Sequence, residues 1–197
     1  MAKKGITKEI ICKAATELII EKGYDRFSLR ELASKLDVKP ASLYSHVKNV
    51  REISVAVGEN AARRLSEVLE QAIDREDADE AFIAFAHAYR NFAHGNPELY
   101  RAIMALPGAS ETELKEEEQK TIRPLKMLVE RYVSSETDSI QYQRFLRSAL
   151  HGFIMLESEG FMRSKKITAD ESYDMLVQSC LTEIRNAKSA ILPGEGR

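Results

Sequence analysis

The chain has 197 residues, 44% apolar and 30% charged, with a formal net charge of −2. That length can build one sizeable core, or a small domain beside a larger one, and the apolar fraction excludes a largely disordered chain. No apolar run approaches the ~20 residues needed to cross a bilayer, and Met1 to Ile6 lacks the apolar stretch of a secretory signal. No membrane partner and a cytoplasmic location are therefore expected. Cys12 and Cys180 lack metal-ligand spacing and read as buried free thiols. Charge is uneven: residues 1–50 hold ten Lys/Arg against six Asp/Glu, the remainder 19 against 25. A basic head on an acidic body suits a head that meets a polyanion.

Apolar residues recur with helical spacing and no segment alternates as a strand would, so the fold class is all-α, with about nine helices. The first helix runs from Thr7, an N-cap, to Lys22, with Ile11, Ala14, Ala15, Leu18 and Ile19 as its buried stripe and Gly23 as its stop. Ser28-Leu29-Arg30-Glu31 is a capping box that opens a second helix ending near Leu36. Pro40 suits the first turn of a third, Ala41 to Val47.

Asn49 and Glu52 cap a long fourth helix from Val50 to about Ile73. The acidic stretch Asp74 to Glu80 reads as a solvated corner rather than a calcium loop. Beyond it comes a helix carrying Phe82, Phe85, Ala86, Tyr89 and Phe92. Gly95-Asn96-Pro97 and Pro107-Gly108 bracket a short helix with Leu99, Tyr100, Ile103 and Met104. A charged segment then continues into Leu125, Leu128, Val129 and Tyr132. Two final helices are expected over about Ser139 to Met162 and Ala169 to Ala190, before a frayed tail, Pro193 to Arg197.

Residues 28–48 carry the most specific pattern. Leu29, Leu32, Ala33 and Leu36 share one face, Val38, Leu43 and Val47 can close over it, and Ala33 is small where two helices cross. This is a helix-turn-helix, and its second helix exposes polar side chains. Pro40, Ala41 and Ser42 let the helix N-terminus approach base edges, with Ala41 suited to a thymine methyl and Ser42 to a base or phosphate. Tyr44, Ser45, His46 and Lys48 offer donors to phosphate oxygens, Ser28 is another phosphate candidate, and the charge of Lys39 can reach a phosphate.

The segment Leu36-Asp37-Val38-Lys39-Pro40-Ala41-Ser42-Leu43-Tyr44-Ser45-His46-Val47-Lys48 resembles the recognition segment of the TetR family, with its Leu-Tyr-x-His core intact. The resemblance implies that Tyr44 and His46 hold phosphates, that Ser42 and Pro40 lie near bases, and that Lys48 clamps the backbone. The chain departs from the pattern at Asp37, where Gly is usual, at Lys39, where a Ser-like cap is usual, and at Val47, where Phe is usual. The first departure implies a strained turn, the second an uncapped helix, the third a smaller core.

Leu150-His151-Gly152-Phe153 with Leu156-Glu157 ahead of Gly160 is similar to the WHG-type C-terminal domain of TetR-like regulators. Together the two resemblances imply a domain over residues 1–48 that binds DNA and one over 49–197 that binds ligand and dimerises. Gly152 in mid-helix suits close approach of another backbone. The family arrangement implies a four-helix homodimer interface including Leu146, Leu150, Gly152, Phe153, Ile154, Leu176, Cys180, Leu181 and Ile184. A small-molecule inducer is expected among the middle helices, with Phe85, Tyr89, Phe92, Tyr100, Met104, Met127 and Phe145 as lining and His87 or His151 as polar contact.

An enzyme is not expected: the chain has no Gly-rich phosphate loop, no His-Glu-x-x-His and no nucleophile elbow, and no cofactor or metal is called for. His87 and His94, seven residues apart, share one helical face, which leaves a metal site open. The functional expectation is a dimeric repressor on a palindromic operator, released by an inducer. A helical architectural or protein-interaction module that binds DNA without a small ligand stays open beside it.

Overall fold

The computed structural model describes residues 6–106 and 123–190, with side chains as far as 187. The Pro107-Gly108 breaker, the charged segment after it and the tail from Pro193 lie outside the described residues. Helices account for all the regular structure among the described residues, and no strand occurs there. The contacts divide the chain into two compact units, Met1–Arg64 with Gly95–Gln119, and Leu65–His94 with Lys120–Arg197.

The first unit holds α1 (Lys8–Lys22), α2 (Leu29–Lys35), α3 (Pro40–Leu43), the first part of α4 (Val50–Ile73) and α6 (Pro97–Met104). Thr7 caps α1 by accepting from the Ile10 N–H, and Ile11, Ala14, Ala15, Leu18 and Ile19 are its buried stripe, as expected. Gly23 ends it at φ +102°, a conformation open to glycine. The capping box at Ser28 forms in full. Leu32, Ala33, Leu43 and Val47 are buried together with Ile53, Val57 and Ala61 of α4. A Cβ built on Gly58 would stand 2.8 Å from both the Ala102 carbonyl oxygen and Leu106 Cδ2, so glycine is what lets α4 and α6 pack this closely.

The α2–α3 turn is a Schellman closure: the Val38 N–H reaches the Ala33 carbonyl at 3.0 Å and the Asp37 N–H reaches Ser34 at 3.1 Å. Asp37 takes the left-handed position at φ +52°, the one positive-φ non-glycine among the described residues. The strain expected from aspartate at a glycine position is therefore present. The third helix is shorter than expected: α-helix stops at Leu43, and residues 44–46 continue as hydrogen-bonded turn. Ser45 Oγ donates to the Ser42 carbonyl and the His46 N–H bonds back only three residues to Leu43, so the last turn tightens.

The second unit holds the rest of α4, α5 (Ala78–Gly95, all but its last residue), α7 (described over residues 123–129), α8 (Glu136–Ser158) and α9 (Ala169–Ala190). Phe82, Phe85, Ala86, Tyr89 and Phe92 are buried with Leu128, Val129, Leu146, Leu150, Tyr173 and Val177. The final pair meets the expected α9 bounds, but α8 starts at Glu136, where Ser135 caps it, and stops at Ser158 rather than Met162. Gly160, at φ +82°, closes a second Schellman motif there, with Phe161 N–H on Leu156 and Gly160 N–H on Glu157. The acidic corner is mostly exposed, yet it is also structural: Asp77 caps α5, while Asp79 accepts from the Tyr132 hydroxyl at 2.8 Å and pairs with Arg185.

Candidate nucleic-acid interface

The α3 segment divides its side chains cleanly. Leu43 and Val47 point into the core, whereas Lys39, Pro40, Ala41, Ser42, Tyr44, Ser45 and Lys48 are all exposed and His46 is half-buried. Tyr44 is 58% exposed, so its ring and hydroxyl are open to solvent. No side chain caps α3, because Lys39 stands at its N-cap. Eight of the ten residues from 39 to 48 are thus at least partly open to solvent.

Ser28 is placed differently. Its hydroxyl accepts from the Glu31 N–H at 3.3 Å and donates to the Glu31 carboxylate at 2.8 Å, so the capping box engages both its donor and its acceptor function. Lys22 pairs with Glu31, and the ammonium and hydroxyl partners hold that carboxyl below its usual range. Lys35 pairs with Glu17 at 3.3 Å and Glu21 at 3.0 Å. Part of the basic surplus of the head therefore serves the fold rather than an external polyanion.

Sequence reasoning did not find Glu52 as more than a cap. Asn49 Oδ1 accepts the Glu52 N–H at 2.9 Å, as expected, while the Glu52 carboxylate accepts the Lys48 N–H at 2.7 Å and pairs with Lys8 Nζ at 2.9 Å. Nor did it find Glu98, whose carboxylate accepts the Tyr24 N–H.

In the second unit, Arg90 and Glu157 form a two-bonded ion pair, with Asp170 2.8 Å from the same guanidinium and His94 Nε2 2.8 Å from Glu157. The guanidinium lies 4.8 Å from the Tyr173 ring centroid, and Tyr173, fully buried, donates to the Ala86 carbonyl at 2.6 Å. Burial raises the Tyr173 hydroxyl pKa. The Leu-Glu element of the sequence thus supplies an anion for a nearly buried arginine. His87 instead faces Asp174 at 3.5 Å, so the two histidines serve different carboxylates, and no group of three His, Cys, Asp or Glu among the described residues could hold a metal.

The inducer candidates differ in exposure. Phe85, Tyr89, Phe92 and Tyr100 are buried, and Met104, His87 and His151 are half-buried. Burial, with Arg147 beside it, lowers the His151 pKa. Met127 is 44% exposed in a surface depression with Arg131, and Phe145 is 42% exposed.

Of the interface candidates, Leu146, Leu150, Ile154, Cys180, Leu181 and Ile184 are buried in the chain's own core, because each occupies the inward face of α8 or α9. Gly152, Phe153 and Leu176 are half-buried. Next to them runs a groove of about 860 Å³ whose walls include Tyr142, Phe145, Ala149, Leu176 and Glu183. Among the described residues outside its own helix, no atom comes within 4 Å of a Cβ built on Gly152, so the close approach expected there is not made by them. Cys180 is a buried free thiol, whereas Cys12 is half-buried, its thiol on the Ala56 carbonyl.

Comparison with known proteins agrees with this geometry. Residues 11–57 match the family of bacterial regulatory proteins of the tetR type, and residues 82–180 match the tetracyclin repressor-like C-terminal domain. The chain is 31% identical over 172 residues to the HTH-type transcriptional regulator YobS of Bacillus subtilis, covering 87% of this chain and 90% of YobS. Among solved structures, a Rhodococcus protein of unknown function superposes with a TM-score of 0.77 at 20% identity over 92% of this chain and 97% of its own. BioQ with its double-stranded DNA operator gives 0.67 at 18% identity, covering 92% and 99%. A single-residue variant of TetR from Acinetobacter baumannii, in complex with minocycline, gives 0.69 at 17%, covering 98% and 100%. No described helix is long and apolar enough to cross a membrane. With both parts of its length matched and a relative aligned over most of it, the chain belongs to the TetR family of DNA-binding, helix-turn-helix transcriptional regulators, and not to an enzyme family.

Proposed function

We propose that the protein is a cytoplasmic repressor that binds a palindromic operator as a homodimer and is released by a small-molecule inducer. The observation that carries this reading is the exposed edge Lys39 to Lys48 above a buried Leu43 and Val47. Reading is assigned to residues 1–48, sensing and dimerisation to 49–197. Pro40, Ala41 and Ser42 contact base edges. Tyr44, Ser45, His46 and Lys48 hold phosphates, and Lys39 adds charge.

The dimer places two such edges one helical turn of duplex apart, about 34 to 36 Å. Its interface is the outward face of α8 and α9, where Phe145 (42%), Leu156 (48%) and Met175 (68%) are exposed beside the open space over Gly152. The operator complex of BioQ and the minocycline complex of the TetR variant, on the same fold, support both DNA and small-molecule binding. The inducer is assigned to the aromatic side of α5, with Phe85, Tyr89 and Phe92 as candidate lining.

Selection of bound sites from random duplex DNA tests the reading. A palindrome with half-sites about one turn apart is expected; retention of random duplex as strongly as of any enriched sequence would overturn it in favour of an architectural DNA-binding module. Tyr44→Phe should then weaken binding uniformly across sequences, and Ser42→Ala should alter sequence preference.

A further inference from the structure

Glu52 stands in the first turn of α4, close behind the segment that meets phosphate in the reading above, on which this inference rests. A carboxylate has the wrong sign for such a surface, since phosphate contact is driven by cations. Its surroundings explain its presence. One oxygen accepts the backbone N–H of Lys48 at 2.7 Å, and the other lies 2.9 Å from Lys8 Nζ, at the start of α1. These partners hold the carboxyl below its usual range, the Lys48 N–H first and the Lys8 ammonium next.

The two bonds join distant pieces of chain, at residues 8 and 48. Lys48 lies two residues beyond the turn at 44–46, outside any helix, and Glu52 supplies the acceptor for its N–H. Lys8, whose side chain is 71% exposed, is drawn to the same carboxylate. One carboxylate thereby holds the Lys48 backbone, from which that side chain departs, and the Lys8 ammonium.

We infer that Glu52 is a positioning residue for DNA binding: it does not touch the duplex, but it sets the Lys48 backbone and seats Lys8 beside it. The sign of its effect separates this role from a simple surface charge. An acid that merely faces DNA repels it, so its removal tightens binding. An acid that positions two lysines weakens binding when removed.

The test uses the full chain and a duplex selected by the wild type, with Kd measured by fluorescence anisotropy across a salt series. Glu52→Ala is expected to weaken binding roughly tenfold or more, the scale of one lost charge-assisted hydrogen bond and its dependent contacts. It should also lower the salt slope by about one. Glu52→Gln, which keeps an acceptor for the Lys48 N–H, should recover part of the loss. Glu9→Gln, which removes an exposed acid from the first turn of α1, should leave binding unchanged or tighter.

A merely structural loss lowers the folded fraction and leaves the salt slope of the folded protein unchanged, which would overturn the inference. So would equal or tighter binding by Glu52→Ala, and if that variant does not fold, equal or tighter binding by Glu52→Gln does so. A wild type that retains no duplex at all overturns the phosphate reading together with this inference; a wild type that binds while the Glu52 variants bind as well overturns the inference alone.

Discussion

The Glu98 carboxylate, in the first turn of α6, accepts the backbone N–H of Tyr24 at 2.6 Å, across 74 residues of sequence. It lies at the turn where Gly23 ends α1, with its carboxylate oxygen 3.6 Å from where a Gly23 Cβ would stand. The bond anchors the α1–α2 turn, and so the entry to the helix-turn-helix, to α6. Glu98→Ala should destabilise the chain by about 1.5–3 kcal/mol, the range for a hydrogen bond to a charged group. Urea denaturation reads the loss, and amide exchange at Tyr24 should accelerate. An unchanged midpoint with unchanged exchange would count against the anchor.

Asp37 occupies a left-handed position that favours glycine. Asp37→Gly removes that strain while the Schellman bonds remain, and a gain of about 0.5–1 kcal/mol is expected. Thermal melts of the pair decide it; a lower melting temperature for the glycine variant would show that the aspartate is held there by something other than the turn.

Two glycines should respond oppositely. Gly58→Val drives a side chain into the Ala102 carbonyl and Leu106, with an expected loss of about 1–3 kcal/mol. Gly152→Ala meets no described atom outside its own helix and should raise the stability of the single chain by up to about 1 kcal/mol through helix propensity. Gly152→Leu should shift sedimentation toward monomer if a second copy covers this face. A dimer of unchanged dissociation constant would move the interface elsewhere.

Arg90 is 8% exposed, and its partner Glu157 has a side chain 12% exposed. Arg90→Met leaves that carboxylate with His94 at 2.8 Å, and a loss of up to about 3–5 kcal/mol, the range for a buried pair broken on one side, is expected. Arg90 above all, then His94, holds the folded Glu157 pKa below the usual carboxylate value of 4.5. The contribution of the pair is therefore complete above about pH 4.5 and lost as pH falls through the depressed folded value. Glu157→Gln should flatten the stability profile in that acid window. An acid limb as steep as that of the wild type would remove Glu157 from the account.

Most local structure was legible because its causes are local. Thr7, Ser28 and Asn49 cap the helices that they precede, and α4 and α9 run between the expected ends. The α8 end was misjudged although Gly160 carried the signal, since helical periodicity runs past it to Met162. Long-range partners were not legible: Arg90 and Glu157 are separated by 67 residues, and no spacing rule joins them. Nor does the spacing separate the inward from the outward face of α8. Leu146 and Phe145 are adjacent apolar residues, and only packing decides that the first is buried and the second exposed.

The first unit draws on two separate stretches, one ending in the middle of α4 and one beginning at Gly95. A contiguous graft of the N-terminal 64 residues onto another regulator would leave behind the helix that meets Gly58 and the carboxylate that holds Tyr24. An exchange of DNA specificity between relatives is therefore better made by replacing surface positions of the α3 edge in place than by transplanting the whole segment. The unit is modular in space without being modular along the gene.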